Sequence, residues 1–97
     1  MATVVHSSRA LAHLERALDL ARAEHPDIAS AAAEAIRSAV ESLALHPLLG
    51  RRLHGDIREL VVSYGQTGYL ALYRFVVPKD EVRILALRHQ RETGFVP

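Results

Sequence analysis

The sequence predicts an α+β fold: a short N-terminal strand, an antiparallel helical hairpin, then a three-stranded antiparallel sheet. Three observations predict it. Apolar residues recur at helical spacing through the first half of the chain, interrupted at His25-Pro26-Asp27. From Ile57 onward the pattern changes to short β-rich runs separated by turn residues. The length of 97 residues suits one compact domain and not two. Both patterns therefore belong to one unit, residues 1–97, with the hairpin at about 8–45 and the sheet at about 57–89.

Each element has its own local cause. Thr3-Val4-Val5 is a short apolar run suited to an edge or pairing strand, and Ser7 or Ser8 can cap the helix that follows. Leu11, Leu14, Leu18 and Ala21, with Ala10 and Ala17 beside them, predict a helix over about 8–24. A residue before Pro is pushed out of the α region, so His25 ends it. Pro26 and Asp27 suit the first turn of a second helix, to about residue 45. Its seam is Ile28, Ala32, Ala35, Ile36, Ala39, Val40 and Leu43, and His46-Pro47 ends it. The short link makes the two helices antiparallel.

Residues 46–56 read as a polar connector holding Gly50, Arg51, Arg52, His54 and Gly55. Three strands follow: Ile57 to Ser63, Tyr69 to Val77 and Glu81 to Arg88. Their turns are Tyr64 to Gly68 and Pro78-Lys79-Asp80, which makes a meander.

Alternation along these strands leaves apolar residues on both faces. Tyr69, Ala71, Tyr73, Phe75 and Val77 oppose Leu70, Leu72, Arg74 and Val76, and Val82, Ile84 and Ala86 oppose Leu85 and Leu87. An antiparallel sheet usually turns one face to water. Two helices cover one face, so a partner segment is expected on the other.

Composition narrows the function. With no Cys there is no disulfide frame, thiolate zinc site or thiol nucleophile. No window approaches the ~20 apolar residues of a membrane span, and the N-terminus lacks a basic stretch leading into an apolar run. A cytoplasmic protein without membrane contact is expected. The six His show no i, i+4 pair, there is no glycine-rich phosphate loop, and neither metal nor cofactor is expected. Net charge is +1, unevenly placed: −2 over residues 1–45 and +3 over residues 46–97. Eleven of the twelve basic residues are Arg, whose fork suits carboxylates and phosphates at interfaces.

The second half carries a resemblance. His46-Pro47-x-x-Gly50-Arg51, Ile57-Arg58-Glu59-Leu60, Tyr73-Arg74-Phe75, Val82-Arg83-Ile84-Leu85 and His89-Gln90-Arg91-Glu92 follow one another in order. In these motifs and in element order, the chain resembles the RelE/ParE superfamily of type II toxin–antitoxin toxins, specifically its ParE-like or plasmid stabilisation branch. The resemblance implies a toxin neutralised by a cognate antitoxin that threads a segment over it. It implies one of two targets. ParE-like members inhibit DNA gyrase by protein binding and are not known as nucleases. RelE-like members cut messenger RNA on the ribosome, using cations and a Tyr, His or Glu for proton transfer. Leu70 falls where the nuclease pattern has Arg, Lys is nearly absent, and +1 is a small charge for a ribosome binder.

The leading expectation is thus gyrase inhibition. The alternatives are a ribosome-dependent endoribonuclease and an inactive homologue that still binds antitoxin. The expected contact residues are Arg51, Arg58, Arg74, Arg83, Arg88, His89 and Arg91. Were the chain a nuclease, His89, Arg91, Arg74 and Arg58 would be its catalytic candidates, with His89 as the acid or base, a role open to imidazoles in general. For Arg58 the competing expectation is a salt bridge to Glu34 or Glu41 on the second helix. Arg74, mid-strand among apolar residues, must reach a carboxylate or water. A homodimer and a toxin–antitoxin hetero-oligomer are both compatible with the sequence.

Overall fold

Residues 1–64, 67–92 and 94–95 are described by the structure, a computed structural model. The elements are β1 (Thr3–His6), α1 (Ser8–Glu24), α2 (Pro26–Leu45), β2 (Arg51–His54), β3 (Ile57–Tyr64), β4 (Thr67–Val76), a 3-10 turn (Val77–Lys79) and β5 (Glu81–His89). The α+β fold and element order are as the sequence predicts. The turn expected at Tyr64 to Gly68 includes residues 65 and 66, which lie outside the described residues.

Both helix starts are capped by side chains. The Ser7 hydroxyl accepts from the Ala10 N–H at 3.0 Å and donates to the Leu85 carbonyl at 3.1 Å. His25 ends α1 and caps α2, its Nδ1 accepting from the Asp27 N–H at 3.1 Å. The buried stripe of α1 differs from the expected one. It is Ala10, His13, Ala17 and Ala21, while Leu11 is 48% exposed. Small residues let α1 approach α2 and the sheet closely, so the leucines fall at the margin. Of the expected α2 seam, Ala32, Ile36, Val40 and Leu43 are buried, Ile28, Ala35 and Ala39 are half-buried, and Ala29, which was not expected there, is buried with them.

The sheet is larger than the expected meander. Its order is β1-β5-β4-β3-β2, with β3, β4 and β5 consecutive and antiparallel. β1 joins one edge parallel to β5. β2, on the other edge, arises within the segment read as a polar connector. Gly55, at φ 53°, makes the tight turn from β2 into β3, a conformation that costs glycine little.

Both helices lie on one face. Beneath them Leu60, Val62, Tyr69, Ala71, Tyr73, Val82, Ile84 and Leu87 form the core with the α2 seam. The position of Leu87 corrects the alternation read from sequence. Leu72 pairs with Ala86 but Tyr73 pairs with Ile84, so Leu85 is an extra residue, a β-bulge. Past the bulge the faces exchange: Leu87 enters the core opposite Ala71, and Ala86 takes the open face.

α1 and its cap residue Ser7 supply the polar partners for this bulge. β1 ends opposite Ile84, leaving the next stretch of β5 without a strand on that side. The Ser7 N–H donates to the Ile84 carbonyl and the Ser7 hydroxyl to the Leu85 carbonyl. The Leu87 N–H donates to Nδ1 of buried His13 at 3.0 Å. Among the described residues, no helix is long and apolar enough to cross a membrane.

Candidate functional site

The expected contact residues divide between two places. Residues opposite one another in an antiparallel pair share a face, and neighbours along a strand do not. By register, Glu59, Leu72 and Ala86 share the open face, as do Ile57, Arg74 and Arg83. Arg58, Tyr73 and Ile84 lie on the helix side, as do Tyr69 and His89.

The open face carries cations, each beside a carboxylate. Arg74 Nη2 lies 3.2 Å from Asp56, Arg83 Nε 2.5 Å from Glu81, and Arg51 Nη2 3.2 Å from Glu59. Arg74 thus reaches the carboxylate its mid-strand position required. Arg74 and Arg83 stand directly opposite one another, a like-charge pairing that opposes folding. Nε of Arg74 is buried without a hydrogen-bond partner among the described residues. Apolar surface between them is modest: Val61 is 52% exposed, while Leu70, Leu72, Leu85 and Val76 are half-buried. The bulge, by drawing Leu87 into the core, removes one apolar residue expected there.

Arg88 serves a different purpose. Its Nη1 donates to the carbonyls of His89 at 3.3 Å, Gln90 at 3.4 Å and Glu92, and its guanidinium lies 5.2 Å from the Phe95 ring centroid. It organises the turn after β5. Arg58 forms no salt bridge to α2 among the described residues, and Glu34 and Glu41 both pair with Arg37. Nη1 of Arg58 donates instead to the carbonyls of Leu48, at 3.2 Å, and Gly50, at 2.9 Å.

His89 and Arg91 lie in a cleft of about 540 Å3 between the hairpin and the end of β5. Ala17, Leu20, Ala21 and Ile28 line its apolar wall. The imidazole packs edge-on against Tyr69, centroids 5.3 Å apart, and its Nδ1 accepts from the Arg91 N–H at 3.1 Å. Glu92 accepts from the His89 N–H at 3.2 Å and pairs with Arg16 at 2.6 Å. Burial pushes the Glu92 carboxyl up. The Arg16 hydrogen bond, the His89 N–H and the charges of Arg16 and His89 outweigh burial, and the carboxyl sits below its ordinary range.

Arg16 was invisible as a site residue, since it meets Glu92 across 76 positions of chain. His13 was equally hidden, because nothing local marks a His that serves a distant bulge. Among the described residues no three His, Asp or Glu are grouped to hold a metal ion.

Residues 4–94 match the family model described as the ParE toxin of the type II toxin–antitoxin system, parDE. A similar protein, Toxin RelE3 of Caulobacter vibrioides, is 45% identical over 67 residues, which is 69% of this chain and 71% of that protein.

Proposed function

Because this chain belongs to the ParE toxin family of type II toxin–antitoxin systems, we propose that it acts by gripping a protein, inhibiting DNA gyrase until a cognate antitoxin neutralises it. One observation carries this reading: the candidate proton-transfer group and the mid-strand cation do not converge. Tyr69, beside His89, and Arg74 are five positions apart on β4, about 16 Å along the strand and on opposite faces. Cleavage of a phosphodiester needs base, acid and cations within reach of one phosphate. A sheet face whose part-exposed guanidiniums each sit beside a carboxylate over modest apolar surface suits a protein surface instead. On this reading Arg51, Arg74 and Arg83 make the contact, while Arg88 shapes its border at the turn after β5.

A ribosome-dependent ribonuclease is the second reading. It is favoured by the RelE name of the similar protein and by the cleft that gathers His89, Arg91, Arg16 and Glu92 beside Tyr69. Purified protein in a gyrase supercoiling assay, run beside a translation-coupled mRNA cleavage assay, separates the two. Normal supercoiling with cut mRNA would overturn the gyrase reading. Under the second reading, His89→Ala with Arg91→Ala abolishes cleavage. If neither assay responds and expression is harmless, the chain is an inactive homologue.

A further inference from the structure

An exposed apolar cluster sits away from the open sheet face. It lies where α2 ends and β4 runs into the 3-10 turn. Leu48 is 60% exposed, Leu49 56% and Val77 70%. Two adjoining shallow clefts share Leu48 and Phe75, which makes the surface continuous from His46 and Leu49 to Val77.

These leucines are held in water by built contacts. The Leu49 N–H donates to the His46 carbonyl at 3.0 Å. Arg58 holds the carbonyls of Leu48 and Gly50, and the Gly50 N–H is fixed on Tyr73. A surface ordered before binding spends less entropy when it binds. The rim is basic. Arg52 is committed only to the Gly55 carbonyl and Arg58 only to carbonyls, with no carboxylate in ion-pair range of either among the described residues. The one acid of the rim, Asp56, faces Arg74. Two copies meeting through this patch would set cation against cation, whereas an acidic segment would be attracted.

We propose that this patch of Leu48, Leu49, Phe75 and Val77, rimmed by Arg52 and Arg58, docks an acidic segment of the antitoxin that carries bulky apolar side chains. The proposal rests on the toxin–antitoxin assignment and not on the identity of the toxin's target. The cations assigned to the target lie on the open sheet face, so the two partners use different sides of the molecule. The apolar groups of the segment bury Leu48 and Leu49, and its carboxylates meet the rim.

The test is binding of the full-length toxin to the purified product of its paired antitoxin gene, by calorimetry at two salt concentrations. Leu48→Ser with Leu49→Ser is expected to weaken binding at least about tenfold, and Arg52→Glu to weaken it and flatten its salt dependence. Leu11→Ser, an exposed leucine on α1, is expected to leave affinity unchanged. Both patch variants alter exposed side chains, and unchanged circular dichroism and melting temperature confirm their folding. Should the leucine pair fail to fold, Arg52→Glu decides alone. Unaltered affinity in both variants overturns the proposal, and an effect of the leucines without one of Arg52 overturns the acidic partner. Loss of growth arrest at unaltered antitoxin affinity gives the patch to the target. A wild-type dimer that the leucine variant dissolves gives it to a second copy. Either result also overturns the proposal, and the supercoiling assay reads the gyrase question separately.

Discussion

The backbone N–H of Gly50 donates a 2.8 Å hydrogen bond to the phenolic oxygen of Tyr73, a side chain with no exposed surface. A Cβ at Gly50 would fall 2.5 Å from Tyr73 Cε1 and 2.8 Å from the Glu59 carbonyl oxygen. Glycine is needed here for space, and the phenolic hydroxyl is needed to satisfy the amide. Burial pushes the Tyr73 phenol above its ordinary value, against the opposing pull of Gly50 and Arg58, so it stays neutral.

Tyr73→Phe is therefore expected to destabilise by about 1–3 kcal/mol, the cost of a buried amide left without a partner. Gly50→Ala should cost more, since the ring and a strand must both move. Urea unfolding measures both. A Tyr73→Phe protein as stable as wild type would show that water replaces the hydroxyl.

His13→Ala is expected to cost more than about 1–3 kcal/mol, because it orphans the Leu87 N–H and leaves a hole. His13→Asn keeps an acceptor and should recover part of the loss. Hydrogen exchange at Leu87 reads the bond directly, with faster exchange in the Ala variant.

Acid should weaken the fold in two steps. Burial lowers the His6 pKa below 6.5, so the unfolded chain binds the proton more readily. That contribution is present above pH 6.5 and is lost as pH falls through the lowered folded value. Glu92 is likewise lowered from 4.5, so its contribution is present above pH 4.5 and is lost below it. Thermal melts across pH should show both, with Glu92→Gln reducing the lower step, to which Glu34 beside Arg37 also contributes, and His6→Gln removing the upper.

Arg83→Ala removes one of two opposed cations. Stability should change by no more than about 0.5 kcal/mol. Gyrase inhibition should weaken about tenfold if Arg83 contacts the target. Inhibition at wild-type strength would remove Arg83 from that surface.

The sequence alone determined what short-range periodicity encodes. Period 3.6 in Leu14 to Ala21 and Ile28 to Leu43 placed both helices, and Pro26 and Pro47 placed their ends. Period 2 from Ile57 onward placed the antiparallel strands, and the ordered Arg motifs carried the resemblance. Tertiary structure decided the rest. The bulge at Leu85 moved Leu87 into the core, and the β-bonding edges took Thr3–His6 and Arg51–His54 into one sheet. The same folding sent His89 and Arg74 to opposite faces, joined Arg16 to Glu92 and left Leu48 and Leu49 in water. Periodicity reports only which way a side chain points relative to its neighbours. Which distant backbone group or charge it meets is set by packing, where a single extra residue in one strand reverses every face beyond it.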